Sequence, residues 1–260
     1  MDEKNIFLDK IEDKYEMFLK YDYMIETDFL SLEEESRAYP FLKGKNAVLY
    51  GGYPDAERKA IIFIPEYLNI SDEEGLFGYF KENPDDNPFC LIKISIPKQE
   101  KRELNHRDYM GAILGLGIKR EKVGDIVVNG RCAFVTVSKE ISEYILENLR
   151  YVGRVAVCVT LSNIEDGVIK EEHKEELKLN VPSARLDNII SEIFRVKRID
   201  AKDAIEKGFV FVNGIEVNKP DFFLKGNEKI VFRTKGKAYY NGIISESRKG
   251  NLFISVTKYV

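Results

Sequence analysis

The sequence is poor in the residues that most often do chemistry. It has two histidines, His106 and His173, and three cysteines, Cys90, Cys132 and Cys158, in 260 residues. Neither histidine has a second ligand at metal spacing, so no metal site is expected. The cysteines are odd in number, far apart and each set in an apolar, strand-like context. That pattern points to buried free thiols rather than disulfides or metal ligands. No apolar run approaches the roughly 18–20 residues a membrane helix needs, and the opening Met1-Asp2-Glu3-Lys4-Asn5 lacks a basic-then-apolar secretory pattern. A cytoplasmic protein with no membrane partner is expected. There is no Gly-Lys-Ser/Thr phosphate loop. Gly111, Gly115 and Gly117 fall inside and at the end of a predicted helix, where close packing and a helix stop explain them better than a dinucleotide does. No cofactor is expected.

What is present is the balance of a soluble globular protein, 44% hydrophobic and 32% charged, with room for two or three domains. The net charge of −4 hides an uneven split. Residues 183–260 hold 15 Lys and Arg against 9 Asp and Glu, a net of +6, whereas residues 1–80 hold 9 against 18, a net of −9. Such a chain can meet a polyanion only through its basic end.

Within that end, Leu186, Ile189, Ile190 and Ile193 recur at helical spacing after Pro182 and Ser183, and Ser183 stands where an N-cap would. A second short helix fits residues 200–207, with Ala201, Ala204 and Ile205 as its buried side and Gly208 as its stop. Between the two lie Arg195, Lys197 and Arg198, and no acid. The period then changes to two through Phe209, Val210, Phe211 and Val212, closing on Asn213-Gly214, a hairpin pair.

This stretch resembles the S4 RNA-binding domain. The residues that carry the likeness are Arg185-Leu186-Asp187, then Lys197-Arg198 with Ala201, then Gly208 through Asn213-Gly214. Lys197 replaces the usual serine, which adds charge, and Gly226-Asn227 stands where Gly-Asp is common, which bears on a turn. The resemblance implies RNA contacts from Arg185, Arg195, Lys197, Arg198, Lys202 and Lys207. Asn213, grouped with them, suits holding the hairpin better than reading a base. Asp187 is expected to pair with a neighbouring cation and fix the helix.

Upstream, apolar residues from Phe7 to Phe18 keep helical spacing, Ser31 with Glu34 makes a capping-box pair, and Pro40 disturbs or ends that second helix. Two short strands flank a turn at Gly51-Gly52-Tyr53-Pro54-Asp55. Residues 81–87 read as a linker. From residue 89 the order strand, helix, strand, strand, helix, strand predicts a ferredoxin-like or RRM-like βαββαβ domain whose last strand spans 154–161. Its third strand keeps Phe134 but has Cys132 and Val137 where an RNA-recognition strand would carry two further aromatics, so stacking of several bases is not expected. Secondary RNA contacts would come from Arg107, Lys119, Arg120, Lys122 and Arg131. A second linker is expected over 162–179.

The phrase from His106 to Glu121, together with Gly51-Gly52-Tyr53-Pro54-Asp55-Ala56-Glu57-Arg58 and the terminal S4 region, resembles the YlmH family of bacterial S4-domain proteins, in the same order. The expected class is α+β, with a small N-terminal α+β domain over 1–80, the RRM-like domain over 81–180 and the S4 domain over 181–260. The resemblance implies a non-enzymatic, monomeric RNA-binding protein that engages rRNA or tRNA on the large ribosomal subunit in the rescue of stalled ribosomes, with a link to a cell-division gene cluster. Two alternatives stand beside it: an adaptor for protein partners in cell division, and an RNA-modifying enzyme of the pseudouridine-synthase kind. The synthases place S4 before a catalytic domain, and here Arg185-Leu186-Asp187 heads the S4 helix itself.

Overall fold

The computed structural model describes residues 3–54, 56–163, 174–233, 235–247 and 250–259. The chain divides into two compact units, residues 1–34 with 40–170, and residues 35–39 with 171–260.

The first unit opens with the expected amphipathic helix, α1 (Glu3–Tyr21), whose Tyr15 and Phe18 rings lie 5.2 and 5.9 Å from Phe63. After β1 (Ile25–Glu26), helix α2 (Leu32–Leu42) starts at a full capping box: the Glu34 N–H donates to Ser31 Oγ at 3.3 Å, and the Ser31 N–H donates to the Glu34 carboxylate at 2.8 Å. Pro40 lies within α2, which ends two residues later. Strands β2 (Ala47–Tyr50) and β3 (Ala60–Phe63) pair antiparallel, and β1 adds on the other side of β3. Helix α3 (Glu73–Glu82) follows, and the linker expected over 81–87 is instead its last turn and a 3-10 turn, Pro84–Asp86. The Asn83 N–H donates to Tyr79 O at 2.8 Å and Tyr79 Oη donates to Asp86 at 2.6 Å, so the Asn, Pro and Asp of this stretch close a helix rather than loosen the chain.

The βαββαβ unit comprises β4 (Phe89–Ser95), α4 (His106–Gly115), β5 (Val123–Asn129), β6 (Cys132–Ser138), α5 (Lys139–Asn148) and, after a hairpin, its edge strand. That hairpin, β7 (Tyr151–Val152) and β8 (Val155–Ala156), turns at Gly153 with φ 60° and shortens the expected final strand to β9 (Cys158–Ser162). Sheet order β5-β6-β4-β9, antiparallel throughout, is the ferredoxin-like arrangement. Ile92, Ile94, Val135 and Val137 form a core with Tyr109 and Ile113 of α4 and Ile145 of α5. All three cysteines are free, but none is fully buried as expected: Cys90 and Cys132 are half-buried, and Cys158, on an edge strand, is exposed.

In the second unit β10 (Lys174–Val181) leads into α6 (Leu186–Phe194) and α7 (Arg198–Glu206). Then come β11 (Val210–Val212), β12 (Ile215–Glu216), β13 (Glu228–Phe232), β14 (Gly236–Glu246) and β15 (Leu252–Tyr259). They form one antiparallel sheet, β10-β15-β14-β13-β11-β12. Of the linker expected over 162–179, residues 164–173 lie outside the described residues and 174–179 belong to β10. Ile189, Ile190, Ile193, Ala201 and Ile205 pack on the sheet residues Val210, Ile230, Tyr240 and Val256. The N-cap of α6 is Arg185, not Ser183; Ser183 Oγ instead accepts from Asn188 Nδ2 at 2.9 Å. Helix α7 begins two residues earlier than expected and ends before Gly208 at φ 72°. Asn213 and Gly214 take φ 51° and 78°, the left-handed pair that a tight β11–β12 hairpin requires.

Candidate nucleic-acid interface

The turn between α6 and α7 carries cations outward by construction. Val196 N–H closes back onto Ser191 O at 3.1 Å and its side chain packs against the core, which fixes the turn. Arg195 on one side and Lys197 and Arg198 on the other are exposed. Arg195 is the C-cap of α6 in the left-handed conformation, φ 51° and ψ 47°. Lys197 is the N-cap of α7 and makes no capping hydrogen bond. The first-turn amides of α7 are therefore open to an anion, and the helix dipole favours one there. Asp200 is the one acid in that first turn.

A buried carboxylate organises two more cations. Asp187 is fully buried and accepts from Arg185 Nε at 3.0 Å and Nη2 at 3.2 Å, from Arg198 Nε at 3.1 Å, and from the Asn188 N–H at 3.0 Å. Burial alone pushes this carboxyl up; hydrogen bonds and charge from Arg185 and Arg198 outweigh it and hold the group below its ordinary value. The Arg185-Leu186-Asp187 triplet thus ties the start of α6 to the start of α7. Arg185 and Arg198 each give one edge of the guanidinium inward and stay partly exposed, at 31% and 51%.

The other residues expected at the interface are spread out. Lys202 is half-buried one turn along α7. Lys207 is exposed at the far end of that helix, roughly 13 Å along its axis, and 3.9 Å from Asp203. Asn213 is engaged with β13: its N–H donates to Lys229 O at 2.8 Å and its Oδ1 accepts from the Lys229 N–H at 2.9 Å. Two apolar neighbours of the cations were not anticipated. Ile199, beside Arg198, is 72% exposed, and Phe223, bridged to Arg185, is 60% exposed. The signals were there: Ile199 falls off the Ala201, Ala204, Ile205 rhythm, and Phe222-Phe223 is an aromatic doublet in a loop.

In the βαββαβ unit Arg107 and Lys119 are exposed. Arg131 is exposed too, but its Nη2 donates to Pro97 O and to Glu100 O, fastening the loop after β4. Arg120 and Lys122 turn into the protein. Arg120 Nη1 donates to Val123 O and Gly124 O, and burial, with Arg58 nearby, pushes its pKa down to about 10. Lys122 pairs with Asp28 at 2.6 Å and with Glu140; burial disfavours its charge, and the two carboxylates more than offset this.

The sheet face that would stack bases in an RNA-recognition fold is covered at its aromatic ring. Phe134 is 3% exposed and Leu91 9%, both in a cluster with Tyr53. The turn bearing Tyr53 is locked by Asp125, which accepts from Tyr53 Oη at 2.7 Å, the Glu57 N–H at 2.6 Å and the Arg58 N–H at 3.0 Å. Gly52 has φ 95°, and a Cβ there would lie 2.6 Å from Thr136 Cγ2, so a glycine is required for the turn to approach the sheet.

Residues 83–166 match the family described as a putative RNA-binding domain in YlmH, and residues 184–230 match the S4 domain family. The chain is a YlmH-type S4-domain protein. It is 27% identical over 200 residues to the ribosome-associated protein quality control protein P2 of Bacillus subtilis (strain 168), spanning 76% of this chain and 72% of that protein. A shorter likeness, 31% over 75 residues, joins 28% of the chain to 36% of the small ribosomal subunit protein uS4 of Thermotoga petrophila. Its fold is shared with a solved cell division protein ylmH from Streptococcus pneumoniae, at a TM-score of 0.50 and 20% identity, over 64% of this chain and 95% of that one. Neither matched domain family of this YlmH-type chain is an enzyme family. The S4 match covers the α6–α7 turn and ends at residue 230, so β14 and β15 lie beyond it. Among the described residues no helix is long and apolar enough to cross a membrane.

Proposed function

We propose that this protein binds structured RNA, ribosomal or transfer, through the α6–α7 turn. It would act on the large ribosomal subunit as a non-enzymatic, cytoplasmic monomer serving the rescue of stalled ribosomes. The observation that carries the reading is the exposed set Arg195, Lys197 and Arg198 around the open N-terminus of α7, with Arg185 held beside it by Asp187. Arg195 and Lys197 take phosphates as point contacts, α7's first amides add a fixed positive end, and the outward edge of Arg198 completes the cradle. A left-handed arginine costs about 1–2 kcal/mol relative to an ordinary backbone, and a phosphate contact gives a reason for keeping it there. The Bacillus relative, named for ribosome-associated quality control, supports the choice of ribosome. Of the five cations of the βαββαβ unit expected to make secondary contacts, Arg107 and Lys119 are exposed without a close inward bond and are the ones this reading retains.

The test is sedimentation of a lysate on sucrose gradients at low and high salt. Co-migration with the large subunit that weakens as salt rises is the expected result. Migration only with a soluble protein complex at every salt would favour the cell-division adaptor.

A further inference from the structure

The six-stranded sheet of the second unit carries α6 and α7 on one face and a second cationic surface on the other. Strand side chains alternate between faces. Ala238, Tyr240, Ile254 and Val256 point into the helix-covered core. Their neighbours point the opposite way. Lys174, Glu176, Lys178 and Asn180 of β10 stand opposite Tyr259, Thr257, Ser255 and Phe253 of β15. Tyr239 of β14 is paired to Thr257 on one side and to Lys229 of β13 on the other.

Rings and lysines are interleaved on this face. Lys178 Nζ lies 5.1 Å from the centroid of Phe253, and Tyr259 has Lys174 at 5.3 Å and Lys237 at 4.7 Å. Lysines 174, 178, 229 and 237 share this face with Glu176, which accepts from Thr257 Oγ1 at 2.7 Å, and, at the β12 edge, with Glu216. The centre is polar: Asn241 Nδ2 donates to Ser255 Oγ and Thr257 Oγ1, both at 3.1 Å. Excess positive charge with half-exposed rings over a polar floor does not suit an apolar protein partner. It suits a chain of anionic, flat-faced units.

We propose that this face binds an unpaired polynucleotide strand, bases stacking on Phe253 and Tyr239 while Lys174 and Lys178 take the flanking phosphates. Lys178 now rests on Phe253, so a base that takes that ring releases its ammonium to the phosphate beside it. The surface lies on the opposite side of the sheet from the α6–α7 turn. One domain would thus hold two RNA segments, a folded one on its helices and a single strand on its sheet. The inference does not depend on the role proposed for the turn.

The sequence contains no tryptophan, so Phe253→Trp places one reporter on the face. Titrating the full-length F253W protein with oligouridylate should quench its emission. In the otherwise native protein, Lys174→Ala with Lys178→Ala, both exposed positions, should weaken fluorescein-labelled oligouridylate by at least about five-fold. It should also lower the salt slope by roughly 1.4, about 0.7 for each single-strand phosphate contact. Lys197→Ala should weaken oligouridylate less than the double-lysine change does. Three results each overturn the inference: undiminished oligouridylate binding in the double-lysine variant, a larger loss of that binding in Lys197→Ala than in the double-lysine variant, or polyglutamate binding as well as oligouridylate, which would mark an acidic protein as the partner.

Discussion

Arg195→Gly should make the protein more stable and worse at binding RNA. Arg195 holds φ 51° at the C-cap of α6, where glycine is the common residue. Relieving a left-handed side-chain residue returns about 1–2 kcal/mol, and glycine's extra freedom in the unfolded chain takes back about 0.5–1 kcal/mol. A net gain of about 0.5–1 kcal/mol remains, or roughly 3–6 °C in the melting midpoint of a unit this size. Arg195→Ala is the control: it keeps the strained backbone, removes the same charge from an exposed position, and should stay within about 0.5 kcal/mol of wild type. Both variants should lose one phosphate contact and bind an RNA hairpin with the same reduced salt slope. Thermal unfolding followed by circular dichroism, with fluorescence polarisation for binding, separates the two effects. A glycine variant no more stable than the alanine variant would refute the strain argument, and either one binding like wild type would refute the phosphate contact.

Two further outcomes follow from Asp187, buried, and Asp125, half-buried. Asp187→Asn keeps the shape of the side chain and removes its charge between Arg185 and Arg198, so it should cost about 2 kcal/mol in urea unfolding at neutral pH, less than a fully buried pair because both arginines are partly solvated. Because the Asp187 pKa is lowered in the folded state, its contribution is present above the ordinary carboxylate value and lost as pH falls through the lowered one. The gap between wild type and D187N should therefore close in acid, and a gap that widens there contradicts the ion-pair account. Asp125→Ala leaves the Glu57 and Arg58 amides without their acceptor, and the half-buried Arg58 and Arg120 without the anion they share, Glu34 remaining for Arg58. It should cost about 2–3 kcal/mol and open residues 51–58 to limited proteolysis; an unchanged cleavage pattern would show that the turn is held by Tyr53 packing alone.

The helices α6 and α7 were legible because their cores follow the 3.6-residue period, and the β11–β12 hairpin because Asn213-Gly214 can do little else. The βαββαβ order was legible for the same reason, with Asn105 and Asn129-Gly130 marking its boundaries. Strand β10 was hidden: Lys-Glu-Glu-Leu-Lys-Leu-Asn reads as a solvated linker when only Leu177, Leu179 and Val181 alternate inward. In β14 the register shifts after Tyr240 and Ile243 break the alternation, so an eleven-residue strand loses its period-two signature. At the interface, composition showed which cations exist but not which way they turn. Arg120 and Lys122 face inward because their partners, Gly124 O and Asp28 among them, meet them only in the fold. Phe134 kept its place in the strand, yet Tyr53, from a turn far back in the sequence, covers it.

The central claim is that the α6–α7 turn grips RNA phosphates. Measuring the dissociation constant for an rRNA or tRNA hairpin across a salt series, for wild type and for Arg195→Ala with Lys197→Ala, tests it most directly. The account predicts a log–log slope shallower by about two in the double variant, one for each lost contact. A slope identical to that of wild type would contradict it.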